Sequence, residues 1–398
     1  MATSSRPHGQ IRATTAAGRA RPAARARTAS RPAVLFVESE GWGAFYQLAS
    51  AIRRRGLRAV RVSAAPRPPA STRVPLVYNW THHVSSDQDL AGLADIVASE
   101  DVVDVQCTEQ FAPTVYGQAS RSFRAPETLR VERRASACDK WEVSALLGAA
   151  GIAVPATLPC AGTDPAEAVA SLGLPLLLKP RLGWGGHGVH LLRTEAEVAD
   201  ALATCPVRDA SFLERFVAGR YCQLSVLAAS GTVVRGAACE IADRRYENGP
   251  ASRIVTVAGD SLHDAARRVV ATLGLGGLAN MGVVRDESDT VWVHDVNPRV
   301  WGSFSAYEEA GVDFAGSYID LLEGSCDPGP VWARPGVSAV VAPSDLEQAL
   351  RAPTRRERVR SGASVVRAYS RKFGWRYAAL MAATATTSAL PRVAPGGA

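Results

Sequence analysis

The segment Gly183-Trp184-Gly185-Gly186-His187-Gly188 restricts what this chain can fold into more than any other stretch. Read literally it is G-x-G-x-x-G, the fingerprint of a dinucleotide-binding βαβ unit. That fingerprint works only when its third glycine opens a helix, because the helix N-terminus holds the pyrophosphate. Here Gly188 runs into Val189-His190-Leu191-Leu192, β-branched and apolar, which predicts a strand. The run Pro175-Leu176-Leu177-Leu178-Lys179-Pro180 ahead of the turn has strand length as well. Two strands joined by a glycine turn make a flap whose backbone N–H groups can close over phosphates. A plain structural hairpin is the alternative, and a Rossmann oxidoreductase would need the helix that is missing.

Lys179 sharpens the reading. A lysine on a solvated face need not follow three consecutive leucines. An ammonium fixed at the end of a buried strand beside a glycine flap suits phosphate contact.

The chain has 398 residues, more than one core usually holds, so two or three packed domains are expected. Its formal charge of +7 sits mostly in the first 35 residues and between Arg351 and Arg376. The middle of the chain lacks the broad Lys/Arg stripe of a nucleic-acid groove, so a small anionic ligand such as a nucleotide fits better and no nucleic-acid partner is expected. The 7 cysteines contain no Cys-x-x-Cys pair, which argues against a zinc site or a disulfide framework and for reduced thiols in a cytoplasmic protein. No apolar run approaches the roughly 18 residues of a membrane span. Residues 1–32, built from Ala, Arg, Ser, Thr and Pro, read as a disordered tail, either solubilising or in contact with RNA or acidic membrane.

From Ala33 short apolar runs (AVLFVES, GLRAVRVSA, VPLVYN, VVDVQC) alternate with helical spacing over 46–55 and 90–99, which predicts a parallel sheet covered by helices. A second unit opens at Asp139 with a helix to Gly148. It continues with the two strands around the glycine turn and a helix over 195–203 that Thr194 can cap. The runs CQLSVLAA and VVRGAAC meet at Ser230-Gly231, a hairpin signal, and a helix over 262–273 precedes strand VWVHDVN.

That last strand and its continuation, VWVHDVNPRVWGS over 291–303, are the most informative residues for chemistry. In a strand, Asp295 and Asn297 share a face about 6.5 Å apart. A carboxylate and a carboxamide oxygen so placed can ligate a hard cation such as Mg²⁺, which completes its shell with phosphate and water oxygens. Arg299 then offers a planar donor fork to a transferring phosphoryl group. An Asn-Pro turn capped by Asp295 is the plainer alternative. Substrate contacts are expected from Asp243 to Thr256, where Arg244, Arg245 and Arg253 suit a carboxylate, although solvated arginines read the same way. The mouth of the first unit, near Glu38 to Phe45 and Thr108 to Phe111, is a second place for them.

Together these segments resemble the ATP-grasp superfamily, best matched by carboxylate-amine ligases and by the ATP domains of biotin carboxylase and carbamoyl phosphate synthetase. The ordered motifs are Asp139-Lys140 before a helix ending in Gly151-Ile152-Ala153-Val154-Pro155, then KPRLGWGGHGV, FLERFVAGR and DVNPRVWGS. The resemblance implies an α/β (α+β) ATP-grasp fold: a parallel-sheet pre-ATP-grasp domain over 33–137, an ATP-grasp domain over 138–325 with a lid subdomain at about 155–217, and a basic, partly helical extension over 326–398. It implies ATP with Mg²⁺ or Mn²⁺ as cofactors and small-molecule carboxylate and amine substrates, and it allows a homodimer. Lys140 and Lys179 look like the phosphate lysines, and Gly183, Gly185, Gly186, His187 and Gly188 like the closing loop. Glu214, Arg215, Phe216 and Val217 resemble the adenine hinge. Asp295 and Asn297 would bind the metal, while Arg299, with Lys179, would carry catalysis. Members usually supply another metal carboxylate where Gly282 stands, so Asn280 or Asp286 would have to replace it; Gln223 would cover the ribose Glu. The implied reaction forms an acyl phosphate that an amine then attacks. A non-catalytic nucleotide binder and a phosphotransferase without ligation are the rivals.

Overall fold

The alternation in the first third of the chain builds a parallel sheet because each short apolar run is buried from both sides. The computed structural model describes residues 31–38, 43–63, 77–83, 93–119, 124–183, 186–244, 251–342, 346, 349–350 and 353–388. The tail read over 1–32 lies outside them except for its last two residues, as do Gly185 and Arg245. The first elements are β1 (Ala33–Glu38), α1 (Gly43–Arg54), β2 (Arg58–Ser63), β3 (Trp80–His83), α2 (Leu93–Glu100) and β4 (Val102–Cys107). The strands pair in the order β3-β2-β1-β4, all parallel. Every residue of β1 is buried, as a strand covered on both faces must be. Of the expected strand VPLVYN, the described part, 77–79, is not strand. Asn79 takes the Ala59 amide with its side-chain Oδ1 at 2.8 Å, so the ladder starts one residue later, at Trp80.

Past β4 come α3 (Ala112–Ala119), α4 (Arg134–Ala137) and α5 (Lys140–Ala149). Asp139 caps α5, its carboxylate accepting from the amides of Trp141 and Glu142 at 3.0 and 3.2 Å. A small antiparallel layer follows: β5 (Thr157–Pro159), α6 (Pro165–Leu172), β6 (Leu176–Pro180), β7 (His190–Leu192), α7 (Glu195–Thr204) and β8 (Ser211–Arg215), in sheet order β5-β8-β6-β7. The glycine turn thus joins two antiparallel strands, β6 and β7, and opens no helix.

The large sheet runs β13-β12-β9-β10-β11-β15, with β14 beside β10. It is made from β9 (Arg220–Ala229), β10 (Thr232–Arg244), β11 (Ala251–Thr256), β12 (Gly277–Arg285), β13 (Val291–Asn297), β14 (Val331–Trp332) and β15 (Ser338–Val340). Ser230 and Gly231 turn β9 into β10 with φ of 50° and 82°, both in the left-handed region that a tight hairpin of this kind requires. One face is covered by α8 (Asp260–Leu273), which buries Leu262, Ala266, Val269, Val270 and Leu273 along one stripe. Each large side chain there contributes about 1.5–3 kcal/mol. The helix α9 (Phe314–Leu322) contacts β9 and β12.

Among its described residues, the stretch read from the sequence as a partly helical extension, 326–398, contributes strands and helices that contact these layers. Its strands β14 and β15 pair with β10 and β11, and are too short to leave a periodic signal. Its helices α10 (Arg355–Phe373) and α11 (Trp375–Ser388) both contact α1, where Gln47 donates to the Tyr377 hydroxyl at 2.8 Å.

One fully buried cluster ties the parallel sheet to the large one. Arg134 donates to Asp104 Oδ1 (2.8 Å), Val105 O (3.0 Å) and Gly276 O (3.2 Å), and the Tyr318 hydroxyl donates to the same aspartate. The arginine lies so close that a Cβ on Gly277 would sit 2.3 Å from Arg134 Nη2, and Gly277 has φ of 84°. Only glycine fits where β12 begins.

Candidate active site

The C-terminal end of β13 brings together Lys140, Lys179, Asp295 and Asn297. Asp295 and Asn297 share its face, and the Asn297 amide donates to Asp295 Oδ2 at 2.9 Å. Lys140, at the start of α5, reaches Asp295 Oδ1 at 3.1 Å and Gly183 O at 2.7 Å, so it joins the β13 tip to the glycine turn. Lys179, from the end of β6, donates to His294 O at 2.8 Å and to both oxygens of Glu214 at 3.1 and 3.0 Å. Two ammonium groups from separate elements therefore converge on one strand end, and one of them also holds Gly183 O.

The charges set the protonation states. Burial alone would raise the Asp295 carboxyl, but Lys140 and Lys179 overcome it and hold the group at about 2. Burial pushes the Glu214 carboxyl up, and Lys179 pulls part of that back. His294 is driven down to about 3, first by burial and then by the neighbouring Lys179, so its imidazole is neutral at physiological pH.

A single hard cation fits the donors present. Asn297 Oδ1 is buried and has no hydrogen-bond partner, which is the state of a ligand oxygen awaiting a cation beside the Asp295 carboxylate. No group of three or more His, Cys, Asp and Glu side chains among the described residues could hold a metal by itself, so phosphate and water oxygens would have to complete the shell. The position of the absent carboxylate is closed rather than empty. Gly282 pairs with Asp295, and a Cβ there would meet His294 Cε1 at 2.9 Å and the Tyr221 hydroxyl at 3.0 Å. His294 gets there through a bulge: Gly282 faces Asp295 while Val283 faces Val293, which leaves His294 as the extra residue. Neither proposed replacement faces that spot unengaged. The Asn280 amide donates to Ser225 Oγ at 2.9 Å, and Asp286 holds its own turn through Ser288, Thr290 and the Trp292 indole.

The remaining candidates divide. In the hinge, the Arg215 amide is used by Ala156 O at 2.9 Å and the Phe216 amide by Pro175 O at 3.3 Å, while Val217 follows outside the strand. The described turn glycines Gly186 and Gly188 have φ of 78° and 73°, and His187 between them is exposed. Gln223 pairs across β12 with Gly282, next to the site. Arg244 stacks on the Tyr221 ring at 5.4 Å, and that ring lies 5.4 Å from His294, so Arg244 borders the site. Arg253 instead pairs with an exposed Asp243 at 3.4 Å. Arg299 is 6% exposed and meets Glu109, at the end of β4, through Nη2 at 2.5 Å. Gln106 Oε1 fixes the same loop by accepting from the Val300 amide at 2.9 Å. No sequence spacing joins Glu109 to Arg299; only the position of Glu109 just past a strand of a parallel sheet hinted at it.

Comparison with known proteins bears on the fold that carries these residues. Residues 137–303 match the ATP-grasp domain family. A D-alanine–D-alanine ligase from a Synechococcus species (strain JA-3-3Ab) is 33% identical over 209 residues, covering 48% of this chain and 63% of the relative. The chain thus spans less than two thirds of that relative's length. Among solved structures, a carboxyaminoimidazole ribonucleotide synthase from Aspergillus clavatus complexed with ATP superposes with a TM-score of 0.63 at 15% identity, covering 77% of this chain and 80% of the other. The biotin carboxylase domain of Hydrogenobacter thermophilus 2-oxoglutarate carboxylase, in complex with MgADP and bicarbonate, gives 0.58 at 16% identity, covering 74% and 70%. Residues 137–303 are therefore an ATP-grasp domain, and the fold around them is that of the ATP-grasp superfamily.

Proposed function

We propose that this protein is an ADP-forming ligase that activates a carboxylate with ATP as an acyl phosphate and joins it to an amine. The observation that carries this reading is the convergence of Lys140 and Lys179 on the Asp295 end of β13, with Lys140 also bonded to Gly183 at the start of the glycine turn. Two fixed cations beside a carboxylate and an orphaned amide oxygen suit a metal-bound triphosphate. The ligase and the nucleotide-bound carboxylase and synthase among its relatives support the same chemistry.

In this reading Asp295 and Asn297 would hold Mg²⁺, which would neutralise phosphate charge. Lys140 and Lys179 take phosphate oxygens, Lys140 in exchange for Gly183 O and Lys179 in exchange for His294 O. Val217 presents its amide to the nucleobase, since the two amides before it are already used. Glu214 is committed to Lys179, so it positions that lysine rather than reading the base. Arg299 steadies the phosphoryl group as a carboxylate oxygen attacks phosphorus and ADP leaves. The amine then attacks the acyl carbon, phosphate departs, and the nitrogen gives up its proton. The hairpin excludes the water that would otherwise hydrolyse the acyl phosphate.

The filled space at Gly282 favours one other reading, a protein that binds nucleotide without turning it over. Incubation with ATP, Mg²⁺ and pooled carboxylic acids and amines separates the two. The ligase releases ADP together with an amide-linked mass, and only in the presence of both substrates. Nucleotide uptake with no ADP under any mixture would overturn it in favour of the binder, and a phosphorylated product that forms without amine would mean phosphotransfer alone.

A further inference from the structure

We propose that the C-terminal edge of the parallel sheet, beside Arg299, is an ammonium subsite in which Glu109 receives the charge. The proposal rests on the reading just given, in which Arg299 faces the transferred phosphoryl group and the carboxylate that accepts it.

Glu109 is 1% exposed, in the short turn directly after β4. One oxygen meets Arg299 at 2.5 Å, and the other, Oε2, is buried with no hydrogen-bond partner. The adjacent Thr108 Oγ1 is buried and unpartnered in the same way. Leaving one such acceptor bare costs about 1–3 kcal/mol, and more when it is charged, so two neighbours in that state point to donors that a ligand brings. An ammonium group has three donors and no acceptor, which suits a bare carboxylate oxygen, with the hydroxyl of the preceding residue as a second bare acceptor in the same turn.

Charge balance points the same way. At present Arg299 and Glu109 neutralise each other. A carboxylate or acyl phosphate drawn to Arg299 would leave Glu109 facing an anion at close range, unless a second cation came with it. The topology provides an opening: successive strands run outward from β1 through β2 to β3, while β4 lies on the other side of β1. Ligands of open parallel sheets enter at such a reversal, past the carboxyl ends of the strands, and Thr108 and Glu109 stand at that place. The ammonium is carried either by the activated carboxylate, which would then be an amino acid, or by the acceptor amine.

Calorimetric titration of the full chain loaded with Mg·ADP tests this. The probes are the twenty standard amino acids, their des-amino acids and their decarboxylated amines, such as alanine, propionate and ethylamine. Wild type, Glu109→Gln, Glu109→Asp and Thr108→Val are compared, each first titrated with Mg·ADP to establish that the fold and nucleotide site are intact. At least one ammonium-bearing probe binds wild type. Glu109→Gln weakens it by about tenfold or more, and Glu109→Asp recovers part of the loss. Carboxylate-only acids change by no more than about twofold. An effect on amine-only probes assigns the ammonium to the acceptor, and one confined to probes with both groups assigns it to the carboxylate substrate. The proposal is overturned if no ammonium-bearing probe binds the Mg·ADP-loaded wild type. It is equally overturned if Glu109→Gln weakens propionate and its analogues as much as the amines, since Glu109 would then only brace Arg299. A wild type that takes up no Mg·ADP would remove the nucleotide reading and this proposal together, whereas Mg·ADP uptake without an ammonium effect removes this proposal alone.

Discussion

The two sides of the site are built in different ways. On the nucleotide side of the proposed site, Lys140 from α5 pairs with Asp295 from β13, and Lys179 pairs with Glu214 across the antiparallel neighbours β6 and β8, segments with plain sequence signatures. On the parallel-sheet side, Glu109 Oε2 and Thr108 Oγ1 are bare acceptors, and Glu109 pairs with Arg299. In the proposed reading the first side would exchange the carbonyl partners of its lysines for phosphate and the second would take its partner from a ligand. The activating end would then be held by its own charges, and the substrate end by a few side chains from distant elements.

The comparison depends on the two sides being held in register, and the largest expected effect comes from breaking their joint. Arg134→Met leaves Asp104 as an uncompensated buried charge and should cost about 3–5 kcal/mol, read as a fall in the urea midpoint. Retained stability would mean that the sheets are held by other contacts. The next effect sharpens the nucleotide side. His294 titrates at about 3 when folded, against about 6.5 when unfolded. A lowered folded value means that the unfolded chain binds more protons between those two limits, so stability is lost as pH falls from about 6.5 towards 3. Wild type should lose up to about 2 kcal/mol from this source between pH 7.5 and pH 5, and His294→Gln should lose that much less. Equal losses would show that the ring is not held neutral beside Gly282. The smallest effect separates the two arginines of β10 and β11. Arg253→Ala, which breaks an exposed pair, should change stability by less than about 1 kcal/mol and ADP release by less than about twofold. Arg244→Ala, which strips the cover from Tyr221, should lower ADP release more than that, as a coupled assay would read.

What the sequence made legible follows the same division. The glycine turn between two strands, the caps at Asp139 and Thr194, the Ser230-Gly231 hairpin and the shared face of Asp295 and Asn297 are local, fixed by residues within a few positions of one another. Strand β3 was displaced from its apolar run because Asn79 substitutes a side-chain hydrogen bond for the ladder. The C-terminal strands escaped notice because two or three residues carry no period. The Glu214–Lys179 pair, the His294 bulge against Gly282 and the Glu109–Arg299 pair are products of register and topology, which spacing along the chain does not encode.

In the proposed function Lys140, Lys179 and Asp295 together form a magnesium-nucleotide site. Calorimetric titration of ADP into wild type and Lys179→Met, each with and without Mg²⁺, tests it most directly. The account predicts uptake by wild type that requires the metal and is weakened by about tenfold or more in the variant. Uptake that is the same without magnesium and in Lys179→Met, or no uptake at all, would contradict it.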